Sequence, residues 1–403
     1  NLSHYQMIRQ LVNKFKEWKN STFIGYNSIN FDEEFLRRTL WKNLEYPYLT
    51  NTKGNERGDL FSLARACHLY YPNCIKTPIS DKNNPVFKLE KLAPINNIKH
   101  DEAHSAMGDV LATIEIAKLL SKKAPNVWQA SLMTTNKDKA FQLIKNEQLF
   151  CTDFFYYGKS VPFVLTFVCQ HPQWDYPMCF DLKSDPVYYF NLSNQELKKE
   201  LDKKPKVIRT IKHKKHPIIM NPSYGINFDN YKQLGVAKLK QRAKLIRENK
   251  EFAKRVETIL DDDAREKKEL DSQIDIYPEE SIYKKFALDY DNKLMPEFHK
   301  IPWKDKYTFI QKFKDDRMQY FGKKILYEES PQSLPKEEYD LMHKEIASRI
   351  LSTNEEKWNT IPRTYSEIDT LRNKFKDDKQ KIKALEDINL YIEDMEKIYQ
   401  KDS

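Results

Sequence analysis

A short apolar strand that runs directly into a helix most constrains the fold of this chain. Residues 22–26 (TFIGY) predict a buried strand, and the periodicity of residues 33–42 predicts the helix after it. The turn between them presents the carboxylate of Asp32. Because strands that alternate with helices are typical of an α/β layer, the sequence predicts an α/β domain with Asp32 at the end of its first strand.

A second motif, HSAMGD at residues 104–109, lies roughly 70 residues further along the chain. Five residues rotate a helix by about 500°, so His104 and Asp109 would not share one helical face. They can converge if His104 lies in the loop and Asp109 in the helix that follows. Asp32 and Asp109 would then bind a hard cation such as Mg²⁺ through oxygen, with His104 as general base. The two motifs together predict a metal-dependent nuclease.

Each of these residues also has a structural interpretation. An Asp directly before a helix, such as Asp32, is a good N-cap. His100 and His104 have the i, i+4 spacing of a zinc site, but the metalloprotease pattern requires Glu where Asp101 stands. His213 and His216 flank two lysines, and we expect them to be solvated or to face phosphate.

Helical patterns surround the predicted strand. They cover residues 5–18, 60–71, 88–92 and 105–122. Only one strand of the first 123 residues is evident, and we therefore expect the rest of its sheet to lie upstream of residue 1.

The pattern changes near residue 150. Short β-branched and aromatic runs, divided by Pro, Gly or Asp, occupy residues 161–170, 178–182, 187–192, 207–211 and 217–220. This spacing predicts a small antiparallel barrel, and residues 238–260 predict a basic helix that closes it. From residue 281 onward the pattern is helical and heavily charged, with lone prolines as breakers.

Composition limits the class of protein. A chain of 403 residues suggests two or three domains. No apolar run reaches the length of a membrane span and no leader is evident, so we expect a cytoplasmic protein without a membrane partner. The five cysteines are scattered, which indicates reduced, mostly buried thiols. Residues 203–255 hold 16 Lys or Arg against three acidic residues, a field that favours a polyanion.

Several stretches resemble the bacterial exodeoxyribonuclease I family, which belongs to the DEDDh, or DnaQ-like, exonucleases. The resemblance rests on GYN and FDEE in residues 25–34, FKLEKLAP at 87–94, HSAMGD at 104–109 and, less specifically, LARACH at 63–68. It continues in LGV at 234–236, LIREN at 245–249 and RMQYFG at 317–322. The resemblance therefore covers nearly the whole chain.

The resemblance implies three domains arranged as a clamp around single-stranded DNA. These are a ribonuclease H-like exonuclease domain at 1–123, an SH3-like barrel domain with its basic closing helix at 124–275 and a helical C-terminal domain at 276–403. It also implies a monomer that digests single-stranded DNA from the 3′ end to 5′ mononucleotides, uses two Mg²⁺ ions, acts in DNA repair and recombination, and docks the acidic C-terminal tail of single-stranded DNA-binding protein.

The resemblance assigns roles to individual residues. Asp32 matches the carboxylate of the second motif, and His104 and Asp109 match the base and the carboxylate of the third. Asn27 matches the Asn of the second motif and is expected to lie near the substrate.

The chain departs from the family at its first motif. An Asp-x-Glu should precede Tyr26, but residues 1–31 contain one acidic residue, Glu17. We therefore expect a family member that lacks its N-terminal strands and two of its four metal-binding carboxylates. Such a chain would hydrolyse DNA at a small fraction of the intact rate or not at all.

Two other functions compete with an exonuclease. A catalytically crippled remnant could still bind single strands through lysines and stacked aromatic rings. An oligoribonuclease or a proofreading subunit would share the nuclease motifs, but such proteins are typically single nuclease domains.

Overall fold

The computed structural model describes residues 2–100, 105–272 and 276–400, and only the backbone of residues 270–272. The described residues form two compact units. The first unit comprises those within Asn1–Asn13, Arg38–Tyr46 and Tyr277–Ser403, and the second those within Lys14–Arg37 and Pro47–Ile276. Helices α1 (His4–Glu17) and α2 (Asp32–Lys42) contribute residues to both units.

Two parallel strands begin the second unit. Strand β1 (Thr22–Gly25) pairs with β2 (Glu56–Asp59), and Gly25 lies opposite Asp59. The carboxyl ends of both strands therefore meet at one edge. The expectation that all partners of the first strand lie upstream of residue 1 is wrong, because β2 lies within the chain. Its sequence, ERGD, has none of the β-branched residues that mark a strand.

Five helices follow this strand pair. They are α3 (Leu60–Tyr70), α4 (Leu89–Ile95), α5 (Ala106–Lys123), α6 (Pro125–Met133) and α7 (Lys137–Asn146). The predicted helices at 5–18, 33–42, 60–71, 88–92 and 105–122 are confirmed within a few residues. Leu63 and Ala66 of α3 pack in one buried cluster with Ile116 and Leu120 of α5.

An open antiparallel sheet forms the second half of this unit. Its strands are β3 (Phe150–Tyr156), β4 (Lys159–Gln170), β5 (Pro177–Asp181) and β6 (Ile208–Thr210), in the order β3-β4-β5-β6. Strands β3 and β6 lie at opposite edges, and among the residues that the structure describes no further strand closes the sheet. The predicted closed SH3-like barrel is therefore not confirmed.

Three predicted elements of this region differ from the structure. Residues 187–192 contain a helix, α8 (Pro186–Phe190), because Asp185 caps the backbone N–H of Val187 and Pro186 occupies the first turn. Residues 217–220 contribute one bridge, between Met220 and Cys151. The single basic helix predicted at 238–260 is divided at Asn249.

The helices of this region pack against the sheet. They are α9 (Asn194–Asp202), α10 (Asp229–Lys232), α11 (Gly235–Glu248) and α12 (Lys250–Ser272). Leu239 and Ala243 of α11 and Val256 of α12 are buried with Val164 and Phe180 of the sheet. The basic segment is thus amphipathic, with an apolar face inside and its lysines outside.

The first unit is helical, as its sequence predicts. From residue 276 it contains α13 (Asp289–Phe298), α14 (Trp303–Ile310), α15 (Asp316–Glu329), α16 (Lys336–Ile350), α17 (Ile361–Lys374) and α18 (Lys379–Gln400). Its core combines Tyr5, Trp41 and Leu44 with Phe298 and Phe321.

Two expectations from composition can be compared with the structure. No helix of the described residues has the length and apolar character required to cross a membrane. The prediction of buried, unpaired thiols is confirmed at all five cysteines: Cys67, Cys74, Cys151, Cys169 and Cys179.

Close packing between α14 and α15 generates a test of the helical core. A Cβ added at Gly322 would lie 2.6 Å from Cγ1 of Ile310. We expect Gly322→Ala to lower the free energy of unfolding by about 1–3 kcal/mol, because overpacking outweighs the gain in helix propensity. Urea denaturation measures this change in the free energy of unfolding, and Thr308→Ala, at an exposed position of α14, is the control. A stabilised Gly322→Ala protein would contradict this packing.

Candidate functional site

Asp32 is the first residue of α2 and its side chain is exposed. It follows the carboxyl end of β1, where the sequence predicted it. The neighbouring rings of Phe31 and Phe35 are also exposed and meet edge to face, with centroids 5.0 Å apart. Asp32 is therefore accessible to a ligand in solution.

The turn before Asp32 is held by the buried carboxylate of Asp59, which ends β2. Its Oδ1 accepts the backbone N–H of Asn27 at 2.8 Å and of Phe61 at 2.9 Å, and its Oδ2 accepts that of Ile29 at 3.2 Å. Burial raises the pKa of Asp59, and the three N–H donors act in the opposite direction. The sequence analysis did not identify Asp59, although an Asp directly before an apolar helix is a recognisable N-cap signal.

Asn27 has a backbone role in this turn. Its φ is 59°, in the left-handed region that Asn tolerates better than most residues. This conformation accompanies the hydrogen bond from its N–H to Asp59. The expected contact of its side chain with substrate stays a prediction.

His216 supports Asp59 from the opposite side. Its Nδ1 accepts the backbone N–H of Asp59 at 2.9 Å, and its Nε2 lies 2.9 Å from the carbonyl oxygen of Ser131. This arrangement requires the neutral ring with its proton on Nε2, and burial lowers the pKa of His216 accordingly. The expectation that His213 and His216 are solvated or face phosphate is wrong, because both are buried.

The two glutamates after Asp32 are engaged by arginines. The buried Oε2 of Glu33 accepts from Nη2 of Arg37 at 3.0 Å and is paired with Nη1 of Arg57. Glu34, which is partly exposed, lies 3.6 Å from Nη1 of Arg37. Arg57 also donates to the carbonyl oxygen of Lys214 at 2.6 Å. These pairs connect the start of α2 to β2, and Asp32 is the most exposed of the three acidic residues.

Asp109 lies in the first turn of α5, whose N-cap is Ser105. Its Oδ1 is 2.7 Å from Nε2 of His100, and its side chain is 45% exposed. The His100 side chain is almost completely buried, and its Nδ1 has no hydrogen-bond partner among the described residues. The sequence offered His100 only as part of a zinc-like spacing with His104, and this spacing does not predict the contact with Asp109. His104, the predicted base, lies outside the described residues.

The donors available to a metal can be compared with what Mg²⁺ requires. Asp32 and Asp109 provide accessible carboxylate oxygens, the donor type that Mg²⁺ prefers. Within residues 2–100, 105–272 and 276–400, however, no three His, Cys, Asp or Glu side chains form a group that could hold a metal ion. The described residues therefore provide donor atoms of the type that Mg²⁺ prefers, but they do not form a complete metal site.

The basic segment at 203–255 contributes both to the interior and to the surface. Arg242 is buried and donates to the carbonyl oxygens of Leu182 and Lys183 at 2.9 and 2.7 Å. Arg247 binds the carbonyl oxygen of Lys145 at 2.9 Å. Most lysines of the segment are exposed, so the field available to a polyanion comes mainly from lysine.

Two family models match this chain in different places. The model described as "Exonuclease" matches residues 2–117, the part that carries Asp32 and Asp109. The model described as "Exonuclease I C-terminal domain" matches residues 275–395. The chain is therefore similar to exonuclease I proteins in its first 117 residues and in residues 275–395. The resemblance inferred from its motifs is thereby confirmed.

Individual exonuclease I proteins resemble the chain over different lengths. Exodeoxyribonuclease I of Haemophilus influenzae is 38% identical over 144 residues, which is 36% of this chain and 30% of that protein. The chain thus matches about a third of the length of this curated relative.

Solved exonuclease I structures share the fold. The enzyme from Methylocaldum szegediense has a TM-score of 0.78 at 19% identity, covering 98% of this chain and 85% of that chain. Escherichia coli exonuclease I in complex with a dA16 oligonucleotide has a TM-score of 0.75 at 21% identity, covering 97% and 84%. A complex described as ExoI/SSB-Ct has a TM-score of 0.74 at 21% identity, covering 97% and 83%. These TM-scores show that the chain shares the fold of the solved exonuclease I structures, an exonuclease region with a helical C-terminal region.

The buried Glu33 carboxylate generates the first prediction from the site. We expect Glu33→Gln to lower the free energy of unfolding by about 3–5 kcal/mol, because Arg37 and Arg57 would keep buried charges without their main partner. Urea denaturation followed by circular dichroism measures the change. The exposed Glu115→Gln on α5 is the control, and an equally small change in both variants would contradict the role of Glu33.

Buried His213 makes this unit sensitive to acid. Burial lowers the pKa of His213 to about 4, whereas a histidine in an unfolded chain titrates near pH 6.5. The unfolded chain therefore binds a proton that the folded chain does not, and stability present above about pH 6.5 is lost as the pH falls toward 4. We expect a loss of about 1–3 kcal/mol from this residue.

Stability measured between pH 7.5 and 4.5 tests this contribution. His213→Phe should lose less stability over this range than the parent protein, because Phe does not titrate and the site already contacts the ring of Phe141. His4→Phe, at an exposed histidine, is the control. Parallel curves for His213→Phe and the parent would refute the contribution.

Proposed function

We propose that this protein is a 3′-5′ exonuclease that degrades single-stranded DNA to 5′ mononucleotides in DNA repair and recombination. Similarity to exonuclease I proteins supports the reaction class. The observation that carries the proposal is the exposed Asp32 at the end of β1, on a turn held by the buried carboxylate of Asp59. A carboxylate held on a fixed turn is well placed to bind a metal or a substrate.

We further propose Asp32 and Asp109 as Mg²⁺-binding carboxylates and His104 as the general base. Bound Mg²⁺ would polarise the phosphate and lower the pKa of a bound water. His100 would orient the carboxylate of Asp109 through its 2.7 Å contact. The assignment of His104 rests on its place in the sequence, and Asn27 is retained as a candidate substrate contact on the same basis.

The domain organisation and partners complete the proposal. We assign the exonuclease domain to residues 1–123, the sheet region to residues 124–275 and the helical domain to residues 276–403. We further propose that the sheet region is an SH3-like domain. Oligonucleotide and SSB-Ct complexes are described for solved exonuclease I structures. We propose single-stranded DNA and the C-terminal tail of single-stranded DNA-binding protein as ligands of this monomeric protein.

A second function, single-strand binding without hydrolysis, has a specific observation in its favour. The sheet region presents the exposed ring of Tyr157 together with exposed lysines such as Lys183 and Lys204. Binding would require only exposed lysines and aromatic rings, which the sheet region provides.

Digestion of a 5′-labelled oligothymidylate with Mg²⁺ tests the proposal. We expect shortening from the 3′ end with release of 5′ mononucleotides, and at least a 100-fold lower rate in Asp109→Asn, because a metal-binding carboxylate is lost. Glu115→Gln, an exposed substitution on the same helix, is the control. EDTA should stop the reaction in every protein.

The outcomes of this assay separate the two functions. Binding of the oligonucleotide without shortening would favour the binding function. Shortening from the 5′ end, or activity unchanged in Asp109→Asn, would contradict the proposed chemistry.

A further inference from the structure

Two of the five cysteines lie together at the end of α3. Cys67 belongs to the helix and Cys74 to the segment that follows it. Both are buried in the cluster of apolar residues that joins α3 to α5. Neither cysteine belongs to the candidate site around Asp32 and Asp109, and the proposed function uses neither of them.

The backbone folds Cys74 back onto the end of the helix. The N–H of Tyr71 donates to the carbonyl oxygen of Cys67 at 2.8 Å, and the N–H of Cys74 donates to the carbonyl oxygen of Tyr71 at 2.8 Å. Tyr71 itself has left the helical conformation, with φ of −136° and ψ of 72°. In a continuing helix the two cysteines would be separated by about 10 Å along the axis. The turn instead places them in one part of the core.

The two thiols are in direct contact. The S–H of Cys67 donates a hydrogen bond to the sulfur of Cys74. Contact between the sulfur atoms is the first requirement for a disulfide, whose S–S bond is about 2.0 Å long. The fold therefore places a pair of thiols where a short covalent link between them would close a small loop.

This contact makes the two sulfurs chemically unequal. The hydrogen bond from Cys67 lowers the pKa of Cys74, burial opposes it, and the charge of Lys123 at the end of α5 adds to it. The same hydrogen bond raises the pKa of Cys67. Because the thiolate is the nucleophile in thiol chemistry, Cys74 is the attacking sulfur and Cys67 is the second thiol of the pair.

The other three cysteines lack this combination. Burial raises the pKa of Cys151 and of Cys169 to about 12, and it raises the pKa of Cys179 well above its ordinary value. Cys151 contacts a hydroxyl group, that of Tyr70 at 3.2 Å. Cys169 and Cys179 lie on the paired strands β4 and β5 and are near each other, but neither thiol is activated. These three thiols are internal controls for the pair on α3.

The position of Cys74 selects a small oxidant. Its side chain is buried, whereas Pro72, Asn73 and Lys76 in the same segment are exposed. The sulfur therefore lies beneath a thin layer of surface residues. Hydrogen peroxide is close to water in size and suits such a site better than a bulky peptide disulfide does.

We propose that Cys67 and Cys74 are a redox modification site, which hydrogen peroxide converts to an intramolecular disulfide. The Cys74 thiolate attacks one peroxide oxygen, the O–O bond breaks, and the departing hydroxide takes up the thiol proton as water. This step leaves a sulfenic acid on Cys74. The sulfur of Cys67 then attacks the Cys74 sulfur, the S–O bond breaks, and a second water leaves with the Cys67 proton.

The electrons of these two steps balance. The two thiols lose two electrons and two protons, and one peroxide is reduced to two waters. A thiol reductant such as dithiothreitol reverses the change by thiol–disulfide exchange. The disulfide joins the end of α3 to the segment after it, at the end of the helix opposite to its N-cap Asp59.

Peptide mapping of the unmodified full chain tests the proposal. The protein is treated with hydrogen peroxide, alkylated with iodoacetamide and digested with trypsin without reductant. Cleavage after Arg65 and Lys76 leaves both cysteines in one peptide, residues 66–76. We expect this peptide to lose two hydrogen atoms and to carry no alkyl group, and dithiothreitol should restore both alkylation sites. Cys151, Cys169 and Cys179 should remain alkylated.

Two variants test the role of each sulfur. In Cys67→Ser we expect the sulfenic acid to persist on Cys74, where dimedone traps it. In Cys74→Ser we expect Cys67 to remain alkylated after peroxide treatment. Cys169→Ser, which removes a buried thiol from β4, is the control and should form the disulfide like the parent. In the parent, Cys74 should lose alkylation at least about 10-fold faster than Cys169, because more of it is thiolate.

The mapping of the parent protein decides the proposal even if a variant fails to fold. Two alkyl groups on residues 66–76 after peroxide treatment would overturn it, and so would a disulfide between two copies of the chain. Equal rates of loss at Cys74 and Cys169 would overturn the assignment of Cys74 as the attacking sulfur. These measurements involve no DNA, so their failure would leave the proposed function untouched.

Discussion

The buried carboxylate of Asp59 is the interaction on which the geometry of the candidate site depends. One side chain accepts three backbone N–H groups, two from the turn before α2 and one from the start of α3. It therefore couples the ends of two parallel strands to the helices that follow them. A buried acceptor is stable only when its hydrogen bonds are made, and His216 contributes by accepting the N–H of Asp59 itself. Asp32 follows this fixed turn and is exposed.

Charge is divided in this molecule according to side-chain chemistry. Arginine is used inside, where Arg57, Arg209 and Arg242 each reach several acceptors or rings. A planar guanidinium can satisfy several partners at once. Lysine, a strongly hydrated point charge, lies mostly at the surface, and the buried Lys306 is an exception. The basic segment therefore serves two purposes, and its net charge alone overstates the positive surface that a polyanion would meet.

Sequence patterns predicted the elements that have a clear period or a clear motif. The helices of the first 123 residues and the helical character after residue 281 were recognised because their apolar residues repeat on one face. The first strand was recognised as a short apolar run, but its predicted burial is wrong, because Thr22 and Ile24 are exposed. Strand β2 was missed because its four residues are charged or glycine, although three of them are buried. The segment 187–192 was wrongly predicted as a strand because its Val and Tyr residues outweighed the capping signal of Asp185. The three-domain division and the roles of Asp32, Asn27, His104 and Asp109 stay predictions.

The sequence by itself determined the resemblance to exonuclease I, the α/β character of the first region and the candidate carboxylates, because these depend on local motifs and periodicity. Tertiary structure decided which charged residues are buried, that Asp59 and His216 hold the turn before Asp32, and that His100 contacts Asp109. It also decided that the antiparallel sheet is open over the described residues. Most of these features depend on contacts between residues far apart in the chain, and such contacts leave no period in the sequence.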